Sequence, residues 1–214
     1  VFFNDFKLKK PDYFLNAATG TAVETIGNIL VKIEPILDEV KPDLVLVHGD
    51  TTTAFASALA SFYNQIPVGH VEAGLRTFDI YSPFPEEFNR QAISIISKFN
   101  FAPTESAYQN LINEGTKKES IFITGNTAID ALKYTVNRTY HHEIFDWLQN
   151  DRLILITAHR RENLGQPLVN MFKAIKRVMD EYPDLKAVYP IHMNPKVRKV
   201  ANEILGDSDR IRII

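Results

Sequence analysis

Residues 44–50 read LVLVHGD, and this stretch decides the fold. A short, continuous apolar run such as LVLV is typical of a buried strand. The glycine and acid that follow lead into a helical pattern, with apolar residues at Ala54, Phe55, Ala58, Leu59 and Phe62. Strand and helix patterns alternate in this way along the chain, which predicts an α/β fold of parallel sheets with helices on both faces.

Six further strands follow from the same kind of pattern. They are predicted at PVGHV (67–71), FNFA (99–102), SIFIT (120–124), LILIT (153–157), LKAVYPI (185–191) and RIRII (210–214). A helix is predicted from about Thr21, where Pro35 should kink or split it, and another after the cap residue Thr104. Proline fits the first turn of a helix, so further helices should open at Pro85, Pro167 and Pro195.

Two blocks of alternating strands and helices predict two Rossmann-like domains, at residues 1–132 and 151–214. Residues 133–150 carry no strand signal and predict an interdomain connector with one helix. The second block is short, since α/β domains typically run roughly 100–150 residues. The chain also lacks an initiator methionine and stops on a predicted strand, so we expect both domains to be incomplete in it.

The composition of the 214-residue chain excludes several classes of function. Its net charge is -2, so no bulk field attracts nucleic acid or an anionic membrane. It has no cysteine for a disulfide, a thiolate nucleophile or a cysteine-based metal site, and we expect no metal. No apolar run approaches the roughly 18 residues of a membrane helix. The nucleotide fingerprints GxGxxG and GxxxxGK(S/T) are absent.

Polar residues and glycines gather where the predicted strands end. The segments HGDTTT, EAGLRT, GNT, AHRREN and HMNP each follow one of these strands. In an open parallel sheet, ligands bind beyond the carboxyl ends of the strands. Charges scattered at random would also occupy the backs of helices and the opposite edge of the sheet. This clustering is the main sign of a functional site.

Two acids stand at these strand ends. Asp50 precedes the helix that Thr51 opens, and it either caps that helix or acts as a base or hydroxyl-binding carboxylate. Glu72 ends a strand and is followed by Ala73 and Gly74, so it has no capping role that we can name. Its position favours a part-buried carboxylate that takes part in proton transfer.

Glu86 and Glu87 lie in the first turn of the helix that Pro85 opens. Acids are favoured there by roughly 0.3–1 kcal/mol each, so both fit ordinary helix-start charges. Neighbouring helix positions point roughly 100° apart, so at most one of the two should face a shared site. Arg76 either binds an anion or neutralises Glu72 or Glu86.

The residues His159, Arg160 and Arg161 follow a strand of the second block. Three adjacent cationic or titratable groups at a strand end suit a phosphate ligand. The alternative is a solvated loop in which the arginines pair with Glu162 or with the connector. His192 is a weaker candidate for binding. The remaining histidines fit structural roles, namely His48, His70, His141 and His142.

Several of these segments together resemble those of a known family. HGDTTTAFASALA, PVGHVEAGLRT, YSPFPEEFNR, ITGNTAIDAL and TAHRREN are similar, in this order, to segments of the bacterial non-hydrolysing UDP-N-acetylglucosamine 2-epimerases. The resemblance runs over nearly the whole chain and implies the GT-B fold of two Rossmann-like domains. It also implies reversible epimerisation of UDP-GlcNAc to UDP-ManNAc without a cofactor. UDP and the carbon-2 proton leave to give 2-acetamidoglucal, and UDP then adds back.

The resemblance also implies roles for individual residues. Asp50, Glu72 and Glu86 correspond to the catalytic carboxylates of the family, which selects Glu86 over Glu87. His159 corresponds to the histidine at the pyrophosphate and belongs with the catalytic set. The implied substrate-binding residues are Asp50, Glu72, His159 and Arg160.

Bacterial members of the family are often activated by a second UDP-GlcNAc. Glu86, Arg160 and His192 correspond to that activator site, but AATGTAVE (17–24) lacks the arginine that activated members carry in the equivalent stretch. This departure counts against the activator site. The resemblance further implies a cytoplasmic homodimer that binds UDP-GlcNAc, UDP-ManNAc and UDP, and that supplies ManNAc for bacterial surface polysaccharide. No nucleic acid or membrane partner is expected.

Three other functions compete with epimerisation. A glycosyltransferase of the GT-B fold would use a UDP-sugar with one general base and no second acid. HGDTTT and TGNTAID faintly resemble loops of metal-dependent phosphoesterases, but the histidine expected beside the second loop is absent. A sugar-nucleotide sensor would use the acids only to bind hydroxyl groups.

Overall fold

The computed structural model describes residues 3, 6–158 and 163–214 of the chain. Two compact units are present, Val1–Asn137 and Arg138–Ile214. The helix expected in the connector belongs to the second unit. The domain limits of 1–132, 133–150 and 151–214 stay a prediction.

The first unit is built on a parallel four-stranded sheet. Its strands are β1 (Val45–His48), β2 (Val68–Val71), β3 (Phe99–Ala102) and β4 (Ile121–Ile123), which pair in the order β1-β2-β3-β4. Its helices are α1 (Ala22–Val40), α2 (Thr52–Tyr63), α3 (Glu86–Ile96), α4 (Glu105–Asn113) and α5 (Thr127–Thr135). A 3-10 turn, Lys118–Ser120, precedes β4.

The second unit contains a parallel three-stranded sheet. In chain order its elements are α6 (Glu143–Leu148), β5 (Arg152–Leu155), α7 (Gln166–Glu181), β6 (Leu185–Tyr189), α8 (Pro195–Leu205) and β7 (Ile211–Ile213). The strands pair in the order β5-β6-β7. Apolar side chains from α7, α8 and the strands form one buried core, with Phe172, Tyr189 and Leu205 among its largest members.

All seven predicted strands are present and their parallel pairing is confirmed. Two local expectations, a split of the first helix and the burial of the whole run LVLV, are wrong. Pro35 does not split α1, which continues from Ala22 to Val40, because buried Ile29 and Leu37 anchor the helix on both sides of the proline. The alternative, a kink at Pro35, stays a prediction. The run LVLV is not buried throughout. Leu46 lies on the edge strand β1, on the face of the sheet opposite to α2, and is 61% exposed.

Helices α2, α3 and α4 pack against the same face of the first sheet. Val47 pairs with His70 and His70 with Asn100, so these three side chains share that face. Ala58 of α2 and Ile93 of α3 complete the apolar cluster around Val47. The packing therefore brings α3 next to the strands whose ends carry the predicted acids.

Polar side chains fix where the helices of the first unit begin. Thr21 and Glu24 form a capping box at the start of α1. Thr104 accepts a hydrogen bond from the backbone of α4, as predicted. Thr51 accepts from the Ala54 amide at 3.1 Å and so caps α2. The cap of α2 is thus the threonine, and Asp50 is left for other contacts.

Gly74 lies where the chain leaves β2 and contacts α4. Its φ is +86°, and a Cβ here would overlap the carbonyl oxygen of Ala107. We predict that Gly74→Ala lowers the free energy of unfolding by about 2–4 kcal/mol, the sum of left-handed strain and overpacking. Chemical denaturation of the variant and the original protein measures the difference.

Gly115→Ala is the matched control for this substitution. Gly115 has the same φ of +86°, but a Cβ there meets no atom within 4 Å. Its loss should be only about 1 kcal/mol, since strain acts without overpacking. Equal losses in the two variants would contradict the close contact at Gly74.

Candidate functional site

The carboxyl ends of β1 and β2 meet in parallel register. The Gly49 amide donates to the Val71 carbonyl at 2.9 Å, which continues the pairing one residue beyond β1. Gly49 then turns with a φ of +69°, and its carbonyl oxygen lies 2.8 Å from His70 Nε2. Asp50 follows Gly49 and Glu72 follows Val71, so the structure brings these two predicted acids to one edge of the sheet.

His70 is fully buried beneath this edge. Burial, together with the positive charges of Arg76 and Arg90, lowers the pKa of His70 to about 4, although the hydrogen bond to Gly49 acts in the opposite direction. The neutral ring carries its proton on Nε2, because the Gly49 carbonyl can only accept a hydrogen bond. The structural role of His70 is therefore to fix, through this bond, the turn that carries Asp50.

Glu72 adopts a φ of +68°, a value that is uncommon outside glycine and that clusters at functional sites. Its carboxylate Oε2 lies 3.7 Å from His48 Nε2, and its side chain is 30% exposed. Thr127 Oγ1, at the start of α5, lies 3.3 Å from the same nitrogen. The sequence predicted only a structural role for His48 and no role for Thr127, although both residues belong to segments that follow strands.

Asp50 is held by α3 and not by the helix that follows it. Arg90 Nη2 lies 2.6 Å from Asp50 Oδ2, and Asn89 Nδ2 donates to the Asp50 carbonyl oxygen at 2.8 Å. Because Thr51 caps α2, the interpretation of Asp50 as a helix cap is wrong. The Asp50 side chain is 26% exposed, so part of the carboxylate stays accessible.

Glu87 differs from the helix-start charge that the sequence predicted. It is fully buried, and its Oε1 accepts hydrogen bonds from the Phe78 amide at 3.1 Å and from Gln91 Nε2 at 2.8 Å. Burial alone would raise the pKa of Glu87, but these bonds, another from the Thr77 amide and the Arg90 charge lower it below its usual value. The sequence did contain a signal for these contacts, because Arg90 and Gln91 lie three and four residues after Glu87 and so share one helix face with it.

Glu86, the neighbouring acid, is half-buried at the first position of α3. No hydrogen bond or ion pair joins its carboxylate to another residue in the described part of the chain. The two adjacent glutamates therefore have different surroundings, as the helix geometry predicts. Glu86 is half-buried and its carboxylate has no partner among the described residues, whereas Glu87 is fully buried and hydrogen-bonded.

Arg76 makes neither of the contacts that the sequence suggested. Its side chain is fully buried and forms two parallel bonds to the Glu114 carboxylate, at 2.6 and 2.8 Å. It also donates to the Leu75 carbonyl oxygen and to Ser94 Oγ. Arg76 therefore ties the segment after Glu72 to the end of α4, and neither binds an exposed anion nor neutralises Glu72 or Glu86.

Comparison with known proteins places these features in a family. The family model described as UDP-N-acetylglucosamine 2-epimerase matches residues 1–214. The chain belongs to this family. It is 55% identical over 207 residues to the UDP-N-acetylglucosamine 2-epimerase of Bacillus subtilis (strain 168), an alignment that covers 96% of the chain and 54% of that relative.

Solved structures of epimerase relatives are similar along the same length. The S. aureus MnaA-UDP co-structure has a TM-score of 0.93 at 52% identity, and the matched region covers 99% of this chain and 57% of the S. aureus chain. The UDP-GlcNAc 2-epimerase from Neisseria meningitidis bound to UDP-GlcNAc has a TM-score of 0.90 at 41% identity, and the coverage is 99% and 60%. These similarities confirm the predicted GT-B fold class. The chain spans little more than half the length of the relatives it matches.

The basic segment of this epimerase-family chain can be followed only in part. The described residues do not include His159, Arg160, Arg161 and Glu162. His192, which follows β6, is exposed, and its Nδ1 accepts from the Asn194 amide at 3.1 Å in the turn that begins α8. The ligand-binding roles of His159, Arg160 and His192 stay predictions.

The described residues of the epimerase-family chain include neither a metal-binding cluster nor a membrane helix. Within this part, no group of three or more histidine, aspartate or glutamate side chains is arranged to hold a metal ion. None of the helices described is long and apolar enough to span a membrane.

We predict that His70 makes the folded protein sensitive to mild acid. Its pKa is about 4 when folded against an unperturbed 6.5, so between pH 6.5 and 4 only the unfolded state gains a proton. The stabilising effect of neutral His70 is complete above pH 6.5, and about 3 kcal/mol of it is lost as the pH falls to 4. Urea denaturation across this pH range measures the loss.

His70→Gln keeps a donor for the Gly49 carbonyl but cannot titrate, so its pH dependence should be shallower than that of the original protein by this amount. His141→Gln is the control, because the His141 side chain is 72% exposed. If His70→Gln keeps the full pH dependence, His70 is not the group responsible.

Proposed function

We propose that the protein reversibly epimerises UDP-GlcNAc at carbon 2 to give UDP-ManNAc. The observation that carries the proposal is the meeting of Asp50 and Glu72 at one sheet edge in a chain that matches the 2-epimerase family along its whole length. One solved relative contains UDP and another UDP-GlcNAc, which supports a UDP-sugar as the ligand.

The proposed reaction is an elimination followed by an addition. A carboxylate takes the proton from carbon 2, the bond between carbon 1 and the UDP oxygen breaks, and carbons 1 and 2 of 2-acetamidoglucal become doubly bonded. An acid then protonates carbon 2 from the opposite face, and the UDP oxygen bonds to carbon 1 again. The scheme needs acid–base groups on two faces of the sugar.

Asp50, Glu72 and Glu86 supply these groups in our proposal. The side chains of Asp50 and Glu72 are 26% and 30% exposed, and Glu86 is half-buried without a fixed partner among the described residues. Each keeps a carboxylate surface that a sugar can contact. Glu87, which is buried and engaged by Gln91 and Phe78, does not.

The departing UDP must be stabilised by positive charge. His159 and Arg160 fill this role in the proposal, and they bind the substrate together with Asp50 and Glu72. The released UDP must also stay beside the glucal, because a reaction between two held partners avoids the entropic cost of a second encounter.

Further parts of the proposal rest on the family resemblance alone. They are a cytoplasmic homodimer as the working form and delivery of ManNAc units to bacterial surface polysaccharide. The stretch AATGTAVE (17–24) has no arginine, and this counts against a second UDP-GlcNAc acting as an activator at Glu86, Arg160 and His192.

The proposal predicts deuterium at carbon 2 of the sugar. Full-length protein incubated with UDP-GlcNAc in deuterated water should yield UDP-ManNAc and UDP-GlcNAc that both carry solvent deuterium at carbon 2, because the returned proton comes from an exchangeable acid. Proton NMR follows both sugars in one experiment. A second run with added UDP-GlcNAc in excess tests for an activator.

The competing functions predict different results. Transfer of the sugar to an acceptor without carbon-2 exchange would favour the GT-B glycosyltransferase. Binding without exchange or turnover would favour a sugar-nucleotide sensor. Activity that a chelator abolishes would favour the metal-dependent phosphoesterase. Any of these three results would replace the epimerase proposal.

We predict that Glu72→Gln and Glu86→Gln each lower epimerase turnover by roughly 100-fold or more, because general acid–base catalysis contributes about 10²–10⁴-fold. The variant that keeps the elimination base should still eliminate slowly and release 2-acetamidoglucal. Glu119→Gln, an exposed glutamate in the Lys118–Ser120 turn, is the control and should not change turnover. Full activity in either test variant would remove that glutamate from the proposed set.

A further inference from the structure

Two neighbouring residues of α3 hold Asp50 at two different groups. Asn89 Nδ2 donates to its main-chain oxygen at 2.8 Å, and Arg90 Nη2 lies 2.6 Å from its carboxylate. Asn89 is 4% exposed and the Arg90 side chain 11%, so both contacts are shielded from water. Asp50 is thereby fixed in position and in orientation from a helix 39 residues away in sequence.

Arg90 is itself held on its other side. Its Nη1 lies 3.5 Å from Glu87 Oε2, and Glu87 is fully buried and bonded to Gln91 and to the Phe78 amide. The planar guanidinium thus spans two carboxylates, which the single ammonium of a lysine cannot reproduce. Neutralising the buried Glu87 needs only one of these contacts, so the reach to Asp50 has to be explained separately.

The same helix begins with Glu86, one turn before Asn89 and Arg90. An α-helix keeps its residues at fixed spacings, so holding Asp50 against α3 also fixes Asp50 relative to Glu86. The two predicted catalytic acids come from segments far apart in sequence, and α3 is the element that they share. Groups that act on one substrate need such fixed relative positions.

We propose that Asn89 and Arg90 are positioning residues, which hold Asp50 in register with Glu86 for the chemical step. This inference rests on the proposed epimerase function. Neither residue needs to touch the substrate: Asn89 sets the Asp50 backbone and Arg90 sets its carboxylate. Loss of either contact should therefore lower kcat and change KM little.

The test uses full-length protein, with kcat and KM measured for epimerisation of UDP-GlcNAc. Arg90→Lys should lower kcat by roughly 10- to 100-fold, because a small misplacement of a reacting group has this effect, while KM stays within about threefold. Arg152→Lys is the matched control. Arg152 forms an ion pair with Asp184 at the same 2.6 Å, but the two side chains are 63% and 56% exposed. Arg152 is the first residue of β5, so this pair lies at the amino end of its strand, whereas the predicted binding residues follow carboxyl ends.

Asn89→Ala is the second variant, in case Arg90→Lys lowers stability. Its control is Asn64→Ala, which removes a similar bond, 2.9 Å, to the Ala60 carbonyl oxygen of α2. Circular dichroism sets the assay temperature within the range where each variant is folded. A fall in kcat in folded Arg90→Lys or Asn89→Ala, with KM and both controls unchanged, supports the proposal.

Three results would overturn the positioning role while leaving the epimerase function intact. They are unchanged kcat in the folded variants, a rise in KM alone, and a loss of activity that only follows the loss of folded protein. Original protein that does not epimerise UDP-GlcNAc would overturn the proposed function first, and the positioning role with it.

Discussion

The arrangement depends on the parallel pairing of β1 with β2 and on the turn that ends it. The Gly49 amide bonds to Val71, and the Gly49 carbonyl lies against the buried ring of His70. Parallel strands in register end at the same edge, so Asp50 and Glu72 become neighbours although they lie in separate βα segments. A histidine held neutral by burial gives the turn a donor without introducing a buried charge.

Helix α3 adds the next layer of the candidate site. It packs on the sheet through Ile93, presents Glu86 at its first residue and reaches Asp50 through Asn89 and Arg90. The charges buried with it are paired: Arg90 lies between Glu87 and Asp50. A buried charge without a partner would cost several kcal/mol, so these pairs are a condition for the packing.

The amino-acid sequence predicted the elements of this fold well for a local reason. Each strand is a short apolar run and most helices begin at a threonine, asparagine or proline, so the signal lies within a few residues. The polar residues at strand ends also predicted that Asp50 and Glu72 would lie at the same edge of the sheet. The errors concern Pro35 and Leu46, because packing against other segments decides whether a helix continues and which face of a strand is covered.

The sequence by itself determined the strands, the helix starts, the parallel sheets and the position of Asp50 and Glu72 at strand ends that meet at one edge. Glu86 entered the predicted set only through the family resemblance. Only the tertiary structure decided the partners: Arg90 for Asp50, Glu114 for Arg76, and full burial for Glu87. Hydrophobic period and capping act between residues close along the chain, whereas an ion pair such as Arg76–Glu114 joins residues 38 positions apart. Such a contact exists only after the sheet and helices have packed, and no local pattern encodes it.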